Sequence, residues 1–291
     1  MKHLLLTFIT LLFTTVVFGT PTETISSEPL DMSIYEAINK AGYQRMLTQR
    51  IAKSYVIVVG DVQATKYKEH LKGCARLFES NLNELNEYAP TDAIKNQFRY
   101  VEILWRNYKF IYSDEYTEEN AVILLKFNDK ILKACDDAVH LLEEYATEQT
   151  SNKDQEIIYD KNGLSSAINL SGRQRMLSQR LLFLTTAKFY NIGDKAELGQ
   201  KFSEGLTLFK QSLKELIACP KNTQEIDTEL LGIIDEWEKV ETNILSIMNE
   251  TEITVQEKEK FLDALKSSEQ ILFSFDEIVF LYERLAEEET E

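Results

Sequence analysis

Apolar residues return at steps of three and four through most of the chain, and this period predicts helices rather than strands. Tyr67, Leu71, Cys74, Leu77/Phe78, Leu82 and Leu85 set a helix over 64–88. Ile94, Phe98, Val101, Leu104/Trp105 and Tyr108 set the next over 92–112. Between them stands Ala89-Pro90-Thr91-Asp92; proline cannot continue a helix, and Thr or Asp caps the one that follows. Longer periodic runs predict helices over 32–59, 118–148, 165–190 and 255–288. The order of elements then repeats. Gly193-Asp194 answers Gly60-Asp61, Leu208-Phe209 answers Leu77-Phe78, Pro220 answers Pro90 and Trp237 answers Trp105. The predicted fold is all-α: two tandem four-helix up-down bundles, over 31–150 and 164–291, related by internal duplication and joined by a polar linker at 151–163.

The duplication is sharpest at the first helix of each half. Ala37-Ile38-Asn39-Lys40-Ala41-Gly42-Tyr43-Gln44-Arg45-Met46-Leu47-Thr48-Gln49-Arg50 is matched by Ala167-Ile168-Asn169-Leu170-Ser171-Gly172-Arg173-Gln174-Arg175-Met176-Leu177-Ser178-Gln179-Arg180, with ten of fourteen positions identical. Packing alone would keep size and apolar character and let polar identities drift. The kept residues include Asn, Gly, two Gln and two Arg, so one stretch of helix does the same polar job twice.

At 100° per residue, Ile38, Gly42, Arg45, Gln49 and Ala52 share one sector of the helix, and Asn39, Met46 and Arg50 form the stripe beside it. Arg45 and Gln49 therefore stand one turn apart over a floor of small residues. Glycine inside a helix costs on the order of 1 kcal/mol relative to alanine. Its presence at Gly42 and again at Gly172 implies a close neighbour there, either another backbone or a ligand. An arginine beside such a gap offers a planar fork of donors to a small planar anion.

Composition narrows the function classes. The chain opens with Lys2 and His3, then an apolar run over 4–18 ending at Gly19, which reads as a secretory signal peptide over 1–19, followed by a polar leader over 20–30. No later stretch is long and apolar enough to span a bilayer, so the expected mature protein is periplasmic or secreted, with no direct membrane span after cleavage. The net charge of −16 argues against nucleic acid as a partner. Cys74, Cys135 and Cys219 read as small buried apolar residues, with a Cys74–Cys135 bridge as the alternative.

The string Ile38-Asn39-Lys40-Ala41-Gly42 followed by Arg45-Met46 and Arg50 resembles the P-box of the NarX/NarQ-type nitrate and nitrite sensors. Both copies, with their Gln-Arg-Met-Leu-(Ser/Thr)-Gln-Arg core, resemble still more the N-terminal domain of PilJ-type methyl-accepting chemotaxis transducers. The resemblance implies an extracytoplasmic four-helix sensor bundle with the motif on its first helix. It also implies that the arginine three residues after the glycine, one from each half of a dimer, holds an anion at the axis, a role that falls on Arg45 and Arg175. Lys40 matches the P-box lysine, but Leu170 replaces it in the second copy. Arg50 and Arg180 match in position and take a supporting role. The implied ligand-binding set is Arg45, Arg175, Gly42, Gly172, Gln49, Gln179, Lys40, Asn39, Asn169, Arg50 and Arg180. If the linker turns back, the fifth helix rises beside the first, and Arg45 faces Arg175 across a pseudo-two-fold within one chain. The receptor reading requires those guanidinium groups to be open to a guest and not consumed by carboxylates.

The first functional expectation is thus an exported, non-enzymatic sensor-type protein that binds a small nitrate- or nitrite-like anion. The alternative is an interaction protein whose motif helices dock on a membrane sensor or chemotaxis partner, or on a second copy as a homodimer. In the plainer account of the motif, glycine and alanine permit close helix packing and the Arg and Gln side chains make structural hydrogen bonds. Asp137, His140 and Glu143 share a helix face and could ligate a metal, but the second half has no histidine to complete a di-metal site, so neither metal nor cofactor is expected. Glu143-Glu144 and the acids at 287–289 read as solvated helix ends, and no hydrolase or phosphate-loop motif is present.

Overall fold

The computed structural model describes residues 32–60, 63–150, 163–250 and 252–290. The signal peptide, the leader and nearly all of the linker read from the sequence lie outside these residues. Among the described residues there are eight helices and no strand: α1 (Ile34–Val59), α2 (Ala64–Tyr88), α3 (Asp92–Ser113), α4 (Glu118–Thr150), α5 (Leu164–Phe189), α6 (Lys195–Ile217), α7 (Gln224–Asn249) and α8 (Val255–Thr290). The all-α reading holds. Several helices start where a side chain accepts an otherwise orphaned backbone N–H: Ser33 from Glu36, Thr91 from Ile94, Asp194 from Glu197 and Thr223 from Ile226. Helices α4 and α8 run to Thr150 and Thr290, two residues beyond the predicted ends.

Helices α1 and α5 form the centre. In the first half α1 packs on α2 and α4, and α4 on α3; in the second, α5 packs on α6 and α8, and α8 on α7. The most extensive packing of all joins α1 to α5. The sequence accounts for this placement. The outer helices carry a single apolar stripe, whereas α1 and α5 have small or apolar residues on nearly every side and are buried along most of their length. Each half is closed by an aromatic stack: Phe78 on Trp105 at 4.0 Å and Phe209 on Trp237 at 3.9 Å.

The central pair runs parallel and in register. Residues 130 positions apart meet across the seam: a Cβ built on Gly60 would fall 2.2 Å from the Tyr190 ring. The linker expectation that lets α5 rise beside α1 is met, and the two halves share one continuous core. Cys74, Cys135 and Cys219 are all free thiols, so the alternative Cys74–Cys135 bridge is absent. Cys74 and Cys135 are buried as expected, but Cys219 is only half-buried.

Candidate functional site

Two of the motif's polar residues fasten it locally. Gln44 Nε2 donates to the Phe78 carbonyl at 2.9 Å, and Gln174 Nε2 donates to the Phe209 carbonyl at 3.0 Å, clamping each motif helix to the helix after it. The Thr48 and Ser178 hydroxyls donate to the carbonyls of Arg45 and Arg175, one turn back on their own helices. The hydroxyl is therefore kept because it is satisfied within a dry helix.

The arginines act across the seam. Helical side chains lean toward the N-terminus, so each guanidinium reaches back along the partner helix. Arg45 Nη2 donates to Asn169 Oδ1 at 2.8 Å, and Arg175 Nη2 donates to Asn39 Oδ1 at 2.5 Å. On its other arm, Arg45 Nη1 donates to Asp136 on α4 at 2.6 Å, and Arg175 Nη1 donates to Asp276 on α8 at 2.8 Å. Both arginines are fully buried. Their Nη2 groups converge over the two glycines. A Cβ on Gly42 would lie 3.3 Å from Arg45 Nη2 and 3.8 Å from Arg175 Nη2, and one on Gly172 would lie 3.3 Å and 3.5 Å from Arg175 and Arg45 Nη2. The close neighbour that the glycines called for is this crossed pair of guanidinium groups. Among the described residues, the Nε–H of Arg45 and of Arg175 has no acceptor.

The asparagines extend the network outward. Asn169 Nδ2 donates to Glu143 Oε2 at 2.6 Å. At the pseudo-symmetric place Asn39 faces Glu283, whose buried Oε1 has no hydrogen-bond partner among the described residues. Burial holds the Glu143 carboxyl above its ordinary range. Burial likewise pushes Glu283 up to about 7, against the smaller opposing effects of Asn39 and Arg175. Burial acts upward on Asp136 too, but the charge and hydrogen bond of Arg45, joined by the charges of Arg173 and His140, together outweigh it and hold this carboxyl low. One turn further along, each second motif arginine crosses to the other half's fourth helix: Arg50 to Glu269 at 2.5 Å and Arg180 to Asp129 at 2.7 Å.

Of the sequence-predicted site residues, Arg45, Arg175, Asn39, Asn169, Gly42 and Gly172 meet at one place. Gln179 lies further along the seam, where its Oε1 accepts from the buried Lys53 ammonium at 2.6 Å, and Gln49 Oε1 accepts from Arg180 at 3.5 Å. Lys40 does not join the arginines. It turns outward to Glu36 at 2.7 Å and Glu84 at 2.9 Å. The expectation of guanidinium groups open to a guest is corrected, because each has a carboxylate on one arm and an asparagine on the other. Glu143 is corrected as well. Its side chain is only 13% exposed and belongs to the network, so it is no solvated helix end.

Reasoning from the sequence missed Asp129, Asp136, Glu269, Asp276 and Glu283. A signal for them exists. Acids recur every seven residues at 129, 136 and 143 on α4 and again at 269, 276 and 283 on α8. That spacing puts each trio on one helix face, turned toward the central pair.

The family model described as "Type IV pili methyl-accepting chemotaxis transducer N-term" (PilJ) matches residues 34–114 and 159–261, one segment in each half and together more than half of the chain. No curated protein and no solved structure gives a significant match.

Proposed function

Because the chain belongs to the PilJ family of chemotaxis-transducer N-terminal domains, we propose that it is a sensor-type module whose two half-sites are folded into one chain and which binds a small anion at the α1–α5 seam. Arg45 and Arg175 are the binding groups, Asn39 and Asn169 hold them, and Gly42 and Gly172 make room. The observation that carries this reading is the pair of buried guanidinium groups pointing their Nη2 atoms at one spot, with an Nε–H on each left without an acceptor. Asp136 and Asp276 balance the two charges from the outer arms, so what favours an anion is the converging set of charged N–H donors and not bare repulsion between the arginines. The open-guanidinium condition of the sequence reading is not met, since each group has a carboxylate on one arm and an asparagine on the other; the reading therefore requires a nitrate- or nitrite-like anion to displace the asparagine oxygens from the Nη2 donors while Asp136 and Asp276 keep the Nη1 arms. The basic-then-apolar start of the chain supports export to the periplasm or beyond. In that setting, signal output would pass to a membrane sensor or chemotaxis partner.

A second reading treats the same residues as a structural lock. It is favoured by the Asp136 and Asp276 pairs, which already balance the two charges. The sequence-based alternative, docking of the motif helices on another bundle or a second copy, is disfavoured by their burial on nearly every side.

Calorimetric titration with nitrate and with nitrite separates the two readings, on wild type, Arg45→Lys and Arg175→Lys. Lysine keeps the charge and removes the fork. Saturable heat in wild type, weakened about tenfold or more in either variant, supports the anion site. Absence of heat from either anion, with native circular dichroism throughout, leaves the lock.

A further inference from the structure

The two halves differ just outside the seam, and the difference exposes a groove. In the first half the Lys40 ammonium is held between Glu36 and Glu84. Beside it the Tyr43 ring lies 4.9 Å from the Arg175 guanidinium. At the matching positions of the second half, Lys40 becomes Leu170, Glu36 becomes Ser166 and Tyr43 becomes Arg173, while Glu84 is kept as Glu215. The result is a groove of about 490 Å³ between α4, α5 and α6, with Leu170, Arg173, Glu215, Glu143 and Asn169 in its lining. That volume falls in the range of small-molecule sites.

One carboxylate in this groove lacks the partner that its counterpart has: Glu84 holds the Lys40 ammonium, and Glu215 has no ammonium on it among the described residues. Among the described residues, Glu215 receives one hydrogen bond, from the Gln211 amide at 3.0 Å, and no cation. Arg173 makes no hydrogen bond or ion pair among the described residues. Glu143 spends one oxygen on Asn169, lies 3.9 Å from His140 Nδ1 and feels the nearby charges of Arg45 and Arg173, without a direct hydrogen bond to either among the described residues. The first half thus displays what the second half lacks: an ammonium seated on the carboxylate of α2.

We propose that this groove binds a small zwitterion of the amino-acid class, its ammonium taking on Glu215 and Glu143 the place that Lys40 takes on Glu84, and its carboxylate taking the Arg173 fork. Leu170 and Ala167 supply an apolar wall for a short side chain. The site does not rest on the anion reading. It borders the seam through Asn169, which bonds both Glu143 and Arg45. An ammonium competing for Glu143 would therefore be felt at the arginine pair.

The test is calorimetric titration of the full chain with each of the common amino acids up to millimolar concentration. Analogues lacking either the ammonium or the carboxylate, and the variants Arg173→Ala and Leu170→Lys, complete the set. The second variant rebuilds the plug that the first half already tolerates. At least one amino acid should bind, and loss of either headgroup or either substitution should weaken it about tenfold or more. Nitrate or nitrite heat, where present, should persist in both variants, which keeps this site distinct from the seam. Absence of binding by any amino acid overturns the proposal, as does binding that Leu170→Lys and Arg173→Ala leave intact. Circular dichroism of each variant confirms that a lost signal is not lost folding, and wild-type titration decides if a variant fails that check.

Discussion

Arg45 on α1 donates to Asn169 on α5 at 2.8 Å, about one and two-thirds turns behind the point where the two motif helices are in register. Arg175 returns the contact to Asn39. The seam is therefore stitched by two crossed hydrogen bonds to charged donors, each anchored by a carboxylate of its own half. Breaking one stitch orphans the others. Arg45→Met should destabilise the protein by about 2 kcal/mol, because Asn169 loses a charged donor inside the buried seam and the half-exposed Asp136 loses its cation. Thermal unfolding should show a melting temperature lower by roughly 5–10 °C. Asp136 is half exposed, so Arg45→Met with Asp136→Leu should recover part of that loss in a double-mutant cycle.

Glycine substitutions should divide by what stands over them. Gly42→Ala adds a methyl 3.3 Å from Arg45 Nη2. That guanidinium is held on both arms and cannot retreat, so the helix-propensity gain of about 1 kcal/mol should be cancelled or reversed. Gly73→Ala meets nothing within 4 Å and should stabilise by about that amount. Chemical denaturation of the two variants, side by side, should show a raised midpoint for Gly73→Ala and an unchanged or lowered one for Gly42→Ala.

Gly60 poses a purely steric case. Its φ of −74° suits any residue, yet an added Cβ would lie 2.2 Å from the Tyr190 ring. The ring is pinned against Phe189 and Phe261. Gly60→Ala should cost about 1–3 kcal/mol by overpacking. The paired change Tyr190→Leu should restore most of it, and a rescue that fails would mean the contact is not the cause.

Stability should peak below neutral pH. Glu283 is pushed from an ordinary 4.5 up to about 7, so the native state holds this proton more tightly than the unfolded chain does. Its contribution is complete below about 4.5 and drains away as pH rises through 7. The depressed carboxyls of Asp129, Asp136 and Glu269 act in the opposite sense, contributing above their ordinary values and failing as pH falls. The melting temperature should therefore be highest near a pH of about 5 and decline toward neutrality. Glu283→Gln should flatten the decline on the alkaline side and leave the acid side unchanged.

The helices and the duplication were legible because both rest on periodicity: an apolar step of three to four, and a repeat at 130 residues. The floor of Gly42 and Gly172 beneath Arg45 and Arg175 was legible for a related reason, since a polar identity kept twice in a helix interior needs a cause. What could not be read was the destination of each arginine. A single-helix projection places Arg45 beside Gln49, but it does not say which foreign carboxylate reaches it. Asp136 lies 91 residues away on a helix whose register against α1 depends on loops of unequal length. The acids on α4 and α8 keep a 140-residue offset while the motif helices keep 130, and a search at a fixed repeat passes over them. Lys40 misled for the opposite reason: its place in the motif string suggested the anion, whereas the neighbouring Glu36 and Glu84 claim it.

Tying α1 to α5 in one polypeptide has a consequence for how such a module is assembled. A pairing made between separate molecules weakens on dilution and forces both members to be identical. Here the two faces are held at a fixed effective concentration by the chain itself, so assembly is independent of expression level. Each face is also free to mutate alone, which is how one side can keep a plugged surface while the other opens.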